Sequence, residues 1–389
     1  MRTSAHPEAD RRSAMAALAM TAGAPGDALL YLLLPLYASD FGLTLPEVGL
    51  LLAANRLVRI AGYGWVARFY AERGDRPTLT GALVAASACC LVYGTLSGMW
   101  LLIGARLVWG LCFGAFNLST QALAVEEPLG AARRAGISRA LTALGPMVAL
   151  PLGAWVTLMA GPRAIFFVAA IGALCGLLAS RAIPVQARRF ALPPIRRFTL
   201  PTGLDAWAFV EGMVLDGVFL IGLTYLARAS GLESPLLAAA LLMSARYVTE
   251  IVLSPAGGHA ATRWGAERML LVLSLCTALG LVAFGAGWLV SGALAILSLR
   301  ALQLPLLPVI VGQRFPGPDR VQALVARSLW RDIGAGAGPL VAGLLLPIWP
   351  ALTIYCFAAG LMAVATVMAV MPVRPAEAER QPGTPGRPG

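Results

Sequence analysis

Long apolar runs recur twelve times along this sequence, and no other feature limits its fold as strongly. Of its 389 residues, 58% are hydrophobic and only 13% are charged, whereas an average soluble domain has about 25% charged residues. A helix that crosses a bilayer needs about 20 apolar residues, so twelve such helices would use most of the chain. This composition excludes a soluble multidomain enzyme, a disordered chain and a coiled coil. The sequence predicts an all-α membrane protein.

Glycine, proline and charged residues divide the apolar runs into predicted transmembrane helices. The predicted bounds are 14–37, 46–70, 78–98, 99–124, 135–160, 164–183, 203–226, 234–257, 268–290, 291–313, 321–347 and 350–371. The connections are short except for 184–202, a predicted linker between two six-helix bundles at 14–183 and 203–371. Residues 1–13 are predicted to form an N-terminal tail, and 372–389, rich in proline, glycine and arginine, a disordered tail.

All the basic residues are arginines, and their distribution predicts the orientation in the membrane. The two tails and every second loop hold 20 arginines, whereas the opposite loops hold only Arg163 and Arg228. Because basic loops remain on the cytoplasmic side, we expect both termini in the cytoplasm and the helices in a bacterial inner membrane. The arginines form no basic cluster on a polar face, so nucleic acid is not an expected partner. The six cysteines have no metal-site spacing, and no metal is expected.

The two halves of the sequence correspond to each other as internal repeats. Five features recur in the same order at offsets of 189–194 residues: Asp27 with Asp216, Gly42-Leu43 with Gly231-Leu232, Gly74 with Gly265, Arg106 with Arg300, and Gly145-Pro146 with Gly338-Pro339. Each pair falls on corresponding helices or loops of the two bundles. Parallel repeats of six helices are the organisation of many secondary transporters.

The fourth predicted helix carries a regular motif. Arg106, Gly110 and Gly114 are spaced four residues apart, which predicts that they share one helix face. Glycines on such a face allow a neighbouring helix to approach closely. Glycine–proline pairs follow in the fifth and eleventh helices, at Gly145-Pro146 and Gly338-Pro339.

The loops after the second and eighth helices carry a glycine with basic residues. They contain Gly74 and Arg76 in the first copy and Arg263 and Gly265 in the second. Together with the helix motifs, these loops resemble the major facilitator superfamily, over about residues 14–371. In that family an aspartate in this loop helps to latch the two halves on the cytoplasmic side, and Ala71 and Thr262 stand in its place here. The family's exporters often carry the glycine–proline signature in the fifth helix, so the resemblance favours export.

Thirteen charged residues fall inside the predicted helices at least four residues from either end: Asp27, Arg56, Arg59, Arg106, Arg139, Glu211, Asp216, Arg246, Glu250, Arg300, Arg327, Arg331 and Asp332. Each would cost roughly 2.5–3.5 kcal/mol at the centre of a bilayer. We therefore expect most of them to face the interior of the bundle or water. Arg327 and Glu211 lie nearest to helix ends, where a side chain can instead extend to the membrane interface.

Spacing and the resemblance suggest roles for these residues. Arg246 and Glu250 form an i,i+4 pair that could neutralise itself, and the repeat mates Arg139 and Asp332 are predicted to pair across the pseudo-twofold axis. The resemblance implies that the first and seventh helices line a central cavity. The candidate residues for substrate and proton binding are Asp27, Asn55, Arg56, Arg59, Arg106, Asp216, Arg246, Glu250 and Arg300. The candidate gating and structural residues are Gly74, Arg76, Gly110, Gly114, Arg139, Gly145, Pro146, Arg263, Gly265, Asp332, Gly338 and Pro339.

The resemblance implies a secondary active transporter that works by alternating access, as a monomer, with a small-molecule substrate, protons and the lipid bilayer as its partners. A proton gradient would drive it without any cofactor, and the arginine excess favours an anionic or zwitterionic substrate. An uptake permease of the same fold and a non-transporting sensor or scaffold remain alternatives. An intramembrane enzyme is disfavoured, because the two histidines, His6 and His259, lie in a tail and a loop and no nucleophile and base have a catalytic spacing.

Overall fold

A computed structural model of the protein describes residues 7–34, 37–185, 201–222, 235–315, 317–346 and 348–371. Within these ranges the regular secondary structure is helical, as the sequence predicts. The first half contains α1 (Pro7–Gly23), α2 (Pro25–Leu33), a 3-10 turn (Ala38–Phe41), α3 (Leu45–Arg73), α4 (Asp75–Thr95), α5 (Met99–Ala124), α6 (Ala131–Ala160) and α7 (Ala164–Arg181). The second contains α8 (Gly203–Glu211), a π-helical segment (Gly212–Val218), α9 (Pro235–Trp264), α10 (Ala266–Gly285), α11 (Leu289–Gln303), α12 (Leu306–Arg314), α13 (Asp319–Leu345) and α14 (Ala351–Val370).

These elements correspond to the twelve predicted crossings, two of which are built from two helices each. The first crossing consists of α1 and α2, and the tenth consists of α11 and α12. The first helix begins at Pro7, earlier than predicted. No glycine or proline separates its charged first residues from the apolar run that follows, so both belong to one helix. The predicted linker and the C-terminal tail lie largely outside the described residues. Residues 223–226 of the seventh predicted span lie outside them as well.

Most of the long helices are apolar enough to cross a membrane. Within the described residues, 8 helical segments meet that requirement by length and composition. The long helices α3, α9 and α13 are not among them. These three carry five of the eight arginines that fall inside predicted spans, so the helices that are poorest as isolated membrane spans bring charge into the bundle.

The first and seventh crossings are interrupted at matching positions. Helix α1 ends at Gly23 and α2 begins at Pro25, where proline has no N–H to continue the hydrogen-bond ladder. At the repeat mate of Gly23, the helix instead widens into a π-helical segment that begins at Gly212. Such widened turns are common at functional sites. Asp27 follows the first interruption, and Asp216 lies within the second.

Each half has its own hydrophobic core, and the two cores meet at one end of the bundle. We call this the arginine-rich end: it is where α3, α5 and α9 end and where α4, α6, α10 and α13 begin. There the first core includes residues of the second half: Val311, Val321, Ala323 and Leu324. The second core in turn includes residues of the first half: Ala124, Val125, Ala131, Ala132 and Ala135. The two halves are therefore packed together at this end.

Small residues allow α6 and α9 to cross in close contact at the arginine-rich end. A Cβ atom added to Gly258 would collide with the carbonyl group of Ala132, and one added to Gly136 would lie 3.0 Å from Cα of Pro255. Backbone therefore lies against backbone, which only glycine permits here.

Arginine side chains connect the ends of neighbouring helices at the arginine-rich end. Arg320, at the start of α13, donates to the carbonyl oxygens of Val125 (2.9 Å) and Glu126 (3.1 Å), just after the end of α5. Arg12 of α1 pairs with Glu126 at 2.9 Å. A cation is favourable at a helix C-terminus, so Arg320 fastens the second half to the end of α5.

The predicted loop motifs form tight turns. Gly74 and Gly265 have φ values of 79° and 85°, a left-handed conformation that favours glycine, and they connect α3 to α4 and α9 to α10. Arg76 is half-buried and Arg263 is exposed, and neither forms an ion pair with any residue that the structure describes. The role of these two arginines in gating stays a prediction.

We expect Gly258→Val to separate the arginine-rich ends of α6 and α9, because the new side chain would overlap the Ala132 carbonyl. Overpacking costs about 1–3 kcal/mol, enough to shift a two-state equilibrium by about 5–150-fold. Spin labels at Leu129 and Trp264, which are 62% and 66% exposed, would report the distance between the halves by double electron–electron resonance. The population at longer distances should increase.

Gly104→Val is the matched control, because a Cβ atom at Gly104 meets nothing within 4 Å. This variant should keep the parental distance distribution. If Gly258→Val also keeps it, the close crossing of α6 and α9 does not hold the halves together.

Candidate functional site

The two repeat-mate aspartates each pair with the arginine of their own repeat. Asp27 forms an ion pair with Arg106, and Oδ1 of Asp216 lies 2.7 Å from Nη2 of Arg300. Arg106 is fully buried, and its guanidinium lies over the ring of Tyr31, 5.1 Å from the centroid. The internal repeat therefore duplicates an aspartate–arginine pair between the first and fourth helices of each half.

In the second half the aspartate–arginine pair belongs to a larger ionic cluster. Arg300 contacts Glu211 at 3.3 Å and Glu250 at 3.2 Å, in addition to Asp216. Arg331 lies 2.7 Å from both Glu211 and Asp216. Three arginines and three acids from α8, the π-helical segment, α9, α11 and α13 make up this cluster: Arg246, Arg300, Arg331, Glu211, Asp216 and Glu250. Their formal charges cancel.

A chain of hydrogen bonds connects the first-half pair to the second half. Nδ2 of Asn55 donates to Asp27 at 3.2 Å, and Nη1 of Arg59 donates to Oδ1 of Asn55 at 2.9 Å. Arg59 also donates twice to Asp332, with both distances 2.7 Å, and Tyr63 donates to the same carboxylate at 2.8 Å. Such bidentate pairs are among the strongest polar contacts in proteins. We call Asp27, Asn55, Arg59 and Asp332 the inter-half relay.

Arg56 makes a second contact across the interface, one turn from Arg59. Its guanidinium donates to the carbonyl oxygen of Ala335 in α13. The donor-rich patch predicted on the second crossing therefore faces α13 of the other half rather than open space.

Glycines of the predicted motif bring α3 and α5 together beside the relay. A Cβ atom added to Gly110 would lie 2.7 Å from the carbonyl oxygen of Asn55, and one added to Gly114 would lie 3.4 Å from the ring of Tyr63. As the spacing predicts, both lie on the face of α5 that carries Arg106. Gly110 allows the close approach through which Asn55 can reach Asp27.

The glycine–proline pairs also lie at close helix contacts. Gly145 packs against the backbone of Thr21 in α1, and Gly338 packs against Gly217 in the π-helical segment. Pro146 and Pro339 lie inside their helices. Each pair therefore fits the fifth helix of its half against the interrupted first helix of the same half.

The predicted pairing of Arg139 with Asp332 is wrong. Asp332 is occupied by Arg59 and Tyr63, because α13 packs against α3 rather than α6 at this level. The predicted contact between Arg246 and Glu250 is present at 3.2 Å. The Arg246–Glu250 pair is not isolated, however, because Arg246 also lies 3.4 Å from Asp216.

Arg327 and Glu211 are both buried in ion pairs rather than exposed near a helix end. Glu211 belongs to the ionic cluster, and Arg327 lies 3.3 Å from Asp205 and 2.9 Å from the hydroxyl of Thr202. Asp205 was not among the predicted site residues. Its N-capping pattern with Thr202 is visible in the sequence, but that pattern does not reveal a buried ion pair with α13. Tyr63 was also missed, because a tyrosine in an apolar run gives no sign of its hydrogen-bond partner.

A cavity lies between the two halves, on the arginine-rich side of the ionic cluster. It is lined by Tyr63, Phe113, Asn117, Gln121, Arg139, Trp207, Glu211, Arg300, Gln303, Leu304, Leu307, Pro308, Leu324, Arg327, Ser328, Arg331 and Asp332. Among the predicted site residues, Arg139, Arg300 and Asp332 reach its wall directly. The predicted substrate-binding and proton-binding residues other than Arg300 lie in the surrounding networks, whereas the predicted glycines, prolines, Arg76 and Arg263 lie at turns and helix contacts. Across the described residues, no group of histidine, cysteine, aspartate or glutamate side chains could hold a metal ion.

We expect Arg300→Gln to destabilise the fold strongly, because it leaves Glu211, Asp216 and Glu250 with only two guanidiniums. Breaking a buried ion pair in this way costs about 3–5 kcal/mol, which thermal unfolding in detergent would measure. Adding Asp216→Asn should restore the charge balance and part of the stability. Arg268→Gln, at an exposed position, is the control. Equal stability of Arg300→Gln and this control would contradict the ionic cluster.

Comparison with solved structures gives extensive matches to membrane transporters. The human organic anion transporter MFSD10 (TETRAN) matches with a TM-score of 0.77 and 16% identity over 93% of this chain and 99% of that chain. The proton:xylose symporter XylE, bound to 6-bromo-6-deoxy-D-glucose, matches with a TM-score of 0.74 and 12% identity, over 92% and 94%. The Escherichia coli fucose:proton symporter FucP matches with a TM-score of 0.72 and 14% identity, over 92% and 97%.

No curated protein sequence matches the chain. The family model described as Major Facilitator Superfamily matches residues 15–210 and 204–388, one match for each six-helix half. The two matches include almost all of the sequence, and the members of this family are transporters rather than enzymes. The chain therefore belongs to the major facilitator superfamily.

Proposed function

We propose that this protein is a proton-coupled secondary transporter that exports a small organic anion across a bacterial inner membrane. The observation that carries this proposal is the inter-half relay, which connects a carboxylate of the first half to the interface with the second half. A transporter that works by alternating access needs such a connection, because binding at one site must change how the two halves contact each other.

Asp27 is the proton carrier in this proposal, since its surroundings differ from those of Asp216. The Asp27 side chain is 21% exposed and pairs with one arginine, Arg106. Asp216 is 10% exposed and lies between three arginines. A proton on Asp27 weakens the contact with one guanidinium, whereas a proton on Asp216 would weaken contacts with three.

Protonation of Asp27 acts on the interface through Asn55. The neutral carboxyl group holds Arg106 and Asn55 less strongly, because both hydrogen bonds lose the assistance of its charge. Asn55 then orients Arg59 less firmly toward Asp332. Arg59 is paired with Asp332 in the present conformation, in which the two halves are packed together at the arginine-rich end. Because proton binding weakens this pair, it favours a different arrangement of the halves.

Four observations support the orientation, the direction and the substrate class. The arginine-rich loops favour a cytoplasmic position for that end of the bundle, and for both termini, by the positive-inside tendency. The glycine–proline pair at Gly145-Pro146 favours export through the family resemblance. The organic anion transporter MFSD10 is one of the structural neighbours, and arginines outnumber acids within the crossings. The transporter works as a monomer in this proposal.

Uptake by the same mechanism is the second candidate function. It is favoured by the structural neighbours XylE and FucP, both described as proton symporters. Inverted membrane vesicles with an acid interior distinguish the two directions. Export predicts accumulation of the substrate inside these vesicles and loss of that accumulation with a protonophore, whereas proton symport predicts no such accumulation. A comparison of metabolites in cells with and without the gene would identify the compound to be used.

We expect Asp27→Asn to abolish accumulation driven by the proton gradient while substrate exchange continues at a comparable rate. The neutral amide keeps the shape of the side chain but cannot release and rebind a proton. Transport of the identified substrate in vesicles, with and without a pH gradient, measures both activities.

Asp40→Asn is the control for this experiment, because Asp40 is an exposed carboxylate in the 3-10 turn outside the relay. It should transport as the parent does. Unchanged gradient-driven flux in Asp27→Asn would contradict the assignment of Asp27. An absence of flux in the parent protein for every compound that changes in the metabolite comparison would favour a sensor or scaffold.

A further inference from the structure

The charges inside the bundle do not balance, and the excess can be assigned to particular residues. The eight arginines inside the predicted spans face six acids: the five that the sequence places there and Asp205. Arg106 pairs with Asp27, Arg59 with Asp332 and Arg327 with Asp205. Three more arginines balance the three acids of the ionic cluster. The two that remain without an acidic partner are Arg56 and Arg139.

These two arginines are in different situations. Arg56 donates to the Ala335 carbonyl and does not line the cavity. Arg139 lines the cavity, and its guanidinium forms no hydrogen bond or ion pair with any residue that the structure describes. Its Nε atom is fully buried and has no partner. The side chain as a whole is half-buried, and a buried polar atom without a hydrogen-bond partner, such as this Nε, is costly and uncommon in proteins.

Nearby acids do not satisfy Arg139. Glu250 is the acid whose charge acts on it most strongly, but Oε1 of Glu250 is already bonded to Arg246 and Arg300 at 3.2 Å each. Asp332, its repeat mate, is held by Arg59. Neither of these two acids is therefore available to the Arg139 guanidinium, which lines the cavity.

The rest of the cavity wall is suited to an organic molecule. Amide and hydroxyl groups follow one another along it, with Gln121 bonded to Asn117 at 2.7 Å and Asn117 bonded to Ser328 at 3.2 Å. Phe113 and Trp207 add aromatic surface. Pockets for small ligands typically combine apolar walls with a few polar groups of this kind.

We propose that Arg139 binds the carboxylate group of the transported molecule, and that this molecule is an organic monoanion with an apolar or aromatic body. A single unpaired guanidinium at the cavity wall matches a single negative charge, and its planar fork fits a carboxylate through two hydrogen bonds. The inference rests on the proposed function, in that it takes the cavity to be part of the transport path. It adds the residue that selects the substrate's charge.

Binding of small aromatic ions to the purified protein tests this assignment. Benzoate and 2-naphthoate are the probes, benzyltrimethylammonium is a cation of similar size, and chloride keeps the ionic strength constant. Fluorescence of the protein's tryptophans reports occupancy, since Trp207 lies in the cavity wall. The carboxylates should bind and the cation should not. Arg139→Gln should weaken carboxylate binding about 10- to 100-fold, the range expected for hydrogen bonds to a charged group.

Two further variants separate charge from shape and position. Arg139→Lys keeps the charge without the planar fork, and it should recover part of the lost affinity. Arg68→Gln removes an arginine from an exposed site on α3 and should bind as the parent does. The assignment is overturned if neither carboxylate binds to the parent protein, or if Arg139→Gln binds them equally well.

Stability without any ligand provides a second measurement. Because Arg139 has no partner to lose, Arg139→Gln should keep or raise the melting temperature of the empty protein. Arg59→Gln, which breaks a paired charge, should lower it. A structural role for Arg139 would instead make Arg139→Gln as unstable as Arg59→Gln, and that result would also overturn the assignment. Carboxylate binding that depends on Arg139 could be observed while proton-driven flux is absent. That result would contradict the proposed function but not this inference.

Discussion

The pairing of arginine with acid inside an apolar bundle is the interaction on which the rest of this structure depends. Burial of an ion removes its hydration, and only a partner with good hydrogen-bond geometry offsets that cost. Arg300 contacts three acids, each from a different element. The helices α8, α9, α11 and α13 can therefore carry charge through an apolar layer only while they remain together. The cluster ties these helices into one half.

A different arrangement holds the two halves to each other. Their contacts use small residues and helix-end carbonyl groups at the arginine-rich end, and one bidentate ion pair deeper in the bundle, rather than an extensive shared ionic cluster. Such contacts can separate at a moderate cost in free energy, because glycine buries little apolar surface and the released carbonyl groups can be hydrated. Strong networks within the halves and separable contacts between them are what rigid-body rocking around a central site requires.

The sequence allowed the helices, the repeat and the identity of the ionised residues to be predicted, but, apart from the i,i+4 contact of Arg246 with Glu250, not their partners. The apolar runs specify the crossings, because membrane thickness limits their length. The repeat predicted that Asp27 and Asp216 are equivalent, and both indeed meet the arginine of their own repeat. Partner choice depends on which helices touch at a given level. Asp332 is bound by Arg59 and not by Arg139, because α13 faces α3 there.

Some features left no local signal in the sequence. The π-helical segment around Asp216 contains no proline, and its two glycines do not by themselves predict a widened turn. The cavity likewise results from the way in which two halves with separate cores fit together. Arg139 is the clearest case. In the sequence it resembles the seven other arginines inside the predicted helices, and it differs from them in lining the cavity without an ion pair to any residue that the structure describes.

A double-mutant cycle between Arg59 and Asp332 tests the central claim most directly, because this pair is the ionic contact between the halves in the relay. Thermal unfolding would be measured for the parent, Arg59→Gln, Asp332→Asn and the double variant. We expect the double variant to be more stable than the sum of the single losses implies, by about 1.5–3 kcal/mol, the range for a charge-assisted contact. Additive losses would contradict it, since they would mean that the two side chains do not meet.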